Sequence, residues 1–133
     1  MKFLPERRCM KKILIIEDDE ILAKGYKSKL DKMGYEVLIA SDGEEGLAMI
    51  ASSVPDLILL DLVMPKMDGF KTLEEIKKRE EWKNIPVIVS TNLSQSEDIK
   101  RCMDMGATDY FIKTDVPVET FITKVNSVLQ GVG

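Results

Sequence analysis

Five short apolar runs alternate along the chain with longer stretches whose apolar residues recur every three or four positions. Ile13-Leu14-Ile15-Ile16, Leu57-Ile58-Leu59-Leu60 and Val87-Ile88-Val89 are continuous. Strands of a parallel sheet covered on both faces read this way. Tyr35 to Ile39 is a more mixed run, and Tyr110-Phe111-Ile112 is the fifth. Pro86 stands just before the fourth run, where its missing N–H is tolerated.

The intervening stretches read as helices. Leu22, Tyr26, Leu30 and Met33 form one apolar stripe, which Gly34 ends. Ser41-Asp42-Gly43-Glu44 reads as a capping box, opening a helix that buries Leu47, Ile50 and Ala51. Phe70, Leu73 and Ile76 mark a third helix. Ser94-Gln95-Ser96-Glu97 is a second capping box, ahead of Ile99, Cys102 and Met103, and Gly106 closes that helix. Asp115 with Pro117 starts the last, which carries Phe121, Val125, Val128 and Leu129. Trp82 and the methionines at 33, 49 and 103 read as packing residues. The repeated β-α alternation predicts an α/β domain over residues 11–131. Its parallel sheet is doubly wound, with helices on both faces and right-handed crossovers. Residues 1–10 lie outside the pattern and read as an N-terminal tail, with Met10 a second candidate start of translation. No output domain is expected after the last helix.

Composition narrows the function. The 133 residues are 44% hydrophobic and 32% charged, with a net charge of −4. These values suit a soluble globular domain and argue against a generally basic nucleic-acid-binding surface. No apolar run approaches the ~18 residues of a membrane span. Cys9 and Cys102 lie far apart with no CxxC spacing, so reduced thiols and a cytoplasmic setting are expected. Histidine is absent. That removes His-based triads, His-bound zinc and phosphohistidine, and leaves any phosphoryl chemistry to carboxylates and hydroxyls.

In open α/β sheets, ligands bind beyond the carboxyl ends of the strands. The residues just past those ends are Glu17, Asp18, Asp19 and Glu20, then Asp61, then Ser90, Thr91 and Asn92, then Lys113. Two carboxylates ~4 Å apart repel by roughly 4 kcal/mol at an effective dielectric near 20, so such a cluster calls for a cation. Oxygen-only ligands favour Mg²⁺. A lysine opposite them suits a phosphate. Each residue alone has a plainer reading: the acidic run as a solvated helix start, Asp61 as an N-cap, Ser90 and Thr91 as turn residues, Lys113 as a surface lysine. Their joint placement at four carboxyl ends favours a site.

The segments ILIIEDDE (13–20), DLILLDLVMPKMDG (56–69), IPVIVST (85–91) and GATDYFIK (106–113) resemble the receiver domain of bacterial two-component response regulators. The resemblance covers about residues 11 to 131. It implies a flavodoxin-like five-stranded sheet in the order 2-1-3-4-5. It also implies that Asp61 is the phospho-acceptor, that Asp18 and, through a water, Glu17 hold Mg²⁺ with Asp61, and that the backbone carbonyl of Val63 is a further ligand. Thr91 would then donate its hydroxyl to the phosphoryl group, Lys113 would pair with it, and Tyr110 would change rotamer on activation. Asp19 would be secondary. The implied partners are a sensor histidine kinase or phosphotransfer protein, with an acyl phosphate as a small-molecule donor, and a downstream protein whose identity stays open. The switching surface would be the fourth helix, fifth strand and fifth helix. No direct nucleic-acid contact is implied, and dimerisation on phosphorylation is left open. Two positions depart from the pattern. Thr114 replaces the usual proline after the lysine, so a trans peptide is expected there, and Asn92 replaces a small residue.

Three other readings compete. A flavin or nucleotide binder would want a phosphate loop where the acidic run stands. A Mg²⁺-dependent phosphatase would want a second catalytic acid near Val63. A degenerate receiver acting as a phosphorylation-independent interaction module is the remaining alternative, and the intact Asp18, Asp61, Thr91 and Lys113 argue against it.

Overall fold

In the computed structural model, which describes residues 10–64, 66–92, 96–113 and 118–130, strands and helices alternate without exception. The order is β1 (Lys12–Ile16), α1 (Glu20–Lys32), β2 (Glu36–Ala40), α2 (Gly43–Ser52), β3 (Leu57–Asp61), α3 (Gly69–Lys78), β4 (Val87–Thr91), α4 (Ser96–Asp104), β5 (Asp109–Ile112) and α5 (Val118–Gln130). The strands form one parallel sheet in the order β2-β1-β3-β4-β5. The continuous apolar runs are explained by two cores, one on each face. Ile13, Ile15, Leu57, Leu59 and Ile88 pack with Tyr26, Leu30, Phe121 and Val125 of α1 and α5. Leu14, Ile16, Ile58, Leu60 and Val89 pack with Ile50, Leu73, Ile76 and Cys102 of α2, α3 and α4.

Among the described residues, aspartates cap three helices, each accepting a backbone N–H of the first turn. Asp19 accepts from Leu22, Asp42 from Glu45 and Asp68 from Lys71. The second helix therefore opens one residue later than its sequence suggests. Asp42 is the cap, and Glu45, not Glu44, reaches back to accept from Ser41 N at 2.6 Å. Its buried face is also rotated: Gly43, Gly46 and Ile50 face inward, Leu47 is partly buried, and Ala51 is exposed. A Cβ on Gly46 would stand 2.5 Å from Ile16 Cδ1. Glycines let this helix lie close on the sheet, and they carry no apolar signal in the sequence.

Trp82 is buried, with the Arg79 guanidinium 4.6 Å from its ring centroid. Of the methionines, Met49 packs on the core, while Met33 and Met103 are exposed. Cys102 is a free, buried thiol. The tail before Met10 with Cys9, the Ser94-Gln95 cap, the Lys113–Thr114 peptide and the Asp115/Pro117 helix start lie outside the described residues. Among the described residues, no helix is long and apolar enough to cross a membrane.

Candidate functional site

The carboxyl ends of β1, β3 and β5 bring together the acidic and basic groups. Glu17 continues β1, its N–H donating to the Ala40 carbonyl at 3.0 Å. Asp61 is the last residue of β3. Glu17 and Asp61 are 2% and 4% exposed, whereas Asp18 beside them is open to solvent. Carboxylate oxygens of Glu17, Asp18 and Asp61 all lie within 4.8 Å of one another. Lys113 follows β5, and its N–H donates to the Thr91 carbonyl at 2.7 Å. Its ammonium lies 2.7 Å from Glu17 Oε1 and 3.4 Å from Asp61 Oδ1. Both Glu17 oxygens are engaged, because Oε2 accepts from Asp19 N at 3.1 Å.

One ammonium facing three carboxylates leaves excess negative charge in a mostly buried place. Burial above all, and then the Glu17 charge, push the Asp61 carboxyl up to about 7, against the opposing pull of Lys113 and the Val63 N–H. An all-oxygen set with this charge fits a hard divalent cation. Val63 joins the site through its N–H, 3.3 Å from Asp61 Oδ1, while its side chain is exposed. Ser90 and Thr91 are both buried at the end of β4, with Ser90 opposite Asp61 in the register and Thr91 one step beyond. Tyr110 is partly buried on β5, beside Val89 and against the core under α3 and α4.

Three features escaped the sequence. Asp19 is the α1 cap, a role its spacing to Leu22 could have signalled. Tyr26, read only as part of an apolar stripe, lies close enough to feel the acids. Burial, followed by Glu17, Asp61 and Asp19, pushes its hydroxyl up to about 12. Gly69 packs directly against the backbone of Asp61 and Leu62, and nothing in a linear pattern announces that.

Several known proteins are similar to this chain over most of its length. Protein PilH of Pseudomonas aeruginosa is 36% identical over 122 residues, covering 92% of this chain and 100% of PilH. The DNA-binding dual master transcriptional regulator RpaA of Synechocystis is 38% identical, covering 91% of this chain and 50% of RpaA. The chain thus spans about half the length of RpaA and of relatives such as the probable transcriptional regulator ycf27 of Porphyridium aerugineum. Among solved structures, the signal receiver domain of a histidine kinase from Syntrophus aciditrophicus superposes with a TM-score of 0.84 at 33% identity, covering 92% of each chain. The Mn²⁺-bound form of response regulator Rcp1 superposes at 0.79 and 28% identity, covering 88% of this chain and 92% of Rcp1. The family model for the response regulator receiver domain matches residues 13–126, and this chain belongs to that family.

Proposed function

We propose that Asp61 accepts a phosphoryl group from a histidine kinase, a phosphotransfer protein or an acyl phosphate, and that residues 11–131 are the signalling domain this switches. The observation that carries the reading is the buried Asp61 carboxylate held among Glu17, Asp18 and the Lys113 ammonium at the open edge of the sheet. Phosphoryl transfer asks a protein mainly for positioning and for charges placed on the transferring oxygens. Asp61 Oδ attacks phosphorus while the bond to the donor nitrogen or acyl oxygen breaks, and the leaving group departs with that electron pair. Glu17, Asp18, Asp61 and the Val63 carbonyl are the groups that would hold Mg²⁺, which when bound neutralises the clustered carboxylates and the phosphoryl oxygens.

Lys113 exchanges its carboxylate partners for the phosphoryl group. Thr91 donates its hydroxyl to it, and Tyr110 turns toward the space that this movement leaves. The new dianion carries about −1.5 to −2 charge and three acceptor oxygens. It biases the packing of α4, β5 and α5 toward a second arrangement. The only reaction in this reading is the chain's own phosphorylation and dephosphorylation. A cytoplasmic setting belongs to it, as does a downstream protein target. Nucleic-acid contact by this domain does not, although RpaA is DNA-binding.

Intact mass after incubation with an acyl phosphate tests the proposal. One added phosphoryl group is expected with Mg²⁺ and none with a chelator, and Asp61→Asn should abolish it. Undiminished labelling of the variant would place the acceptor elsewhere.

A further inference from the structure

The loop between β3 and α3 carries Val63, and it is held at both ends. On one side the Gly69 N–H donates to the Leu62 carbonyl at 2.9 Å. On the other it lies on the start of α2, where a Cβ on Gly43 would stand 3.0 Å from the Met67 carbonyl oxygen and closer still to Thr72 Oγ1. Thr72 Oγ1 in turn donates to the Asp68 carbonyl at 2.8 Å. Between these anchors Lys66 has a φ of +66°, a region that non-glycine residues enter rarely and that clusters at functional sites. Its ammonium lies 3.5 Å from Asp42 Oδ2, with the lysine side chain 64% exposed and the aspartate 11%. The other Asp42 oxygen caps α2 by accepting from Glu45 N at 2.8 Å.

We infer that the Lys66–Asp42 ion pair is a latch that holds the β3–α3 loop against α2, making Lys66 a positioning residue for the metal site. The inference rests on the reading of the Val63 carbonyl as a metal ligand. The latch has to hold a left-handed turn three residues from that carbonyl. Without it the stretch between the two anchors relaxes outward and the carbonyl is less well placed.

Two substitutions isolate the pair. Lys66→Asn removes the ammonium but leaves a residue that tolerates left-handed φ. Asp42→Asn removes the charge but keeps a good N-cap. Titration calorimetry with Mg²⁺ is measured on the wild type, both variants, the double variant and Asp61→Asn. A long-range field would make Lys66→Asn bind Mg²⁺ more tightly and Asp42→Asn more weakly. The latch makes both weaker, by about two- to five-fold, the range of an exposed pair. The double variant should then be no weaker than the weaker single. The wild-type advantage should shrink in 1 M NaCl, where the screening length is about 3 Å. Unchanged or tighter binding by Lys66→Asn, with wild-type binding that Asp61→Asn abolishes, overturns the latch alone. Wild-type binding that is absent, or indifferent to Asp61→Asn, overturns the metal-site reading and the latch with it.

Discussion

Gly69 presses on the backbone of Asp61: a Cβ added at Gly69 would stand 2.9 Å from the Asp61 carbonyl carbon, and closer still to its oxygen and to Leu62 Cα. The first residue of α3 is therefore a wall of the site. The helix can cross behind the proposed acceptor only because nothing projects from it there.

Gly69→Ala should shift the Asp61–Leu62 backbone and destabilise the domain by roughly 1–3 kcal/mol, as overpacking does. Urea denaturation measures the loss, and the initial rate of acyl-phosphate labelling should fall with it. Gly25→Ala is the internal contrast. It lies inside α1 with nothing within 4 Å of an added Cβ. It should stabilise by about 0.5–1 kcal/mol, since alanine is the better helix former. Equal effects from both substitutions would refute the close-contact account.

Lys113 is the charge partner of two buried carboxylates. Removing one member of a buried pair typically costs about 3–5 kcal/mol. Lys113→Met should approach that cost at pH 8 in chelator, with part of it recovered at pH 5, where the Asp61 carboxyl, pushed up to about 7 by burial, is protonated. Chemical denaturation at the two pH values tests this. A pH-independent loss would mean that the lysine contributes packing rather than charge.

The Asp61 carboxyl is pushed from 3.8 up to about 7, first by burial and then by the Glu17 charge. Between those two values the folded state binds more protons than the unfolded one. Stability of the metal-free protein should therefore fall as pH rises through that window, and level off above it. Asp61→Asn should flatten the profile and leave the variant more stable than wild type at pH 8. Added Mg²⁺ should restore wild-type stability at high pH through its binding. Thermal midpoints across pH 4–8, with and without the cation, provide the readout.

Phe121 ties α5 to the sheet, its ring centroid 4.6 Å from that of Tyr26 and 5.3 Å from that of Phe111. Phe121→Ala should cost roughly 3–5 kcal/mol. Because Tyr26 lies beneath the acids, the emptied space should also alter its environment, visible in near-ultraviolet circular dichroism.

The sequence by itself determined the architecture. Five apolar runs and the helical stripes between them specify a parallel sheet between two layers of helices, because a continuous run such as Ile13–Ile16 has to be covered on both faces, while the strand order was implied only by the family resemblance. It also named the site's charged residues, since strand ends in a parallel sheet share one edge, wherever they fall in the chain. Tertiary structure alone decided the rest. The rotation of α2 and the wall behind Asp61 depend on Gly46 and Gly69, whose contribution is the atom they lack, and a hydrophobic pattern cannot record it. That Lys113 rests nearer Glu17 than Asp61, and that Lys66 reaches Asp42, are contacts across 96 and 24 positions of chain. Such pairings follow from the twist of the sheet and the lie of its loops, and no local propensity encodes them.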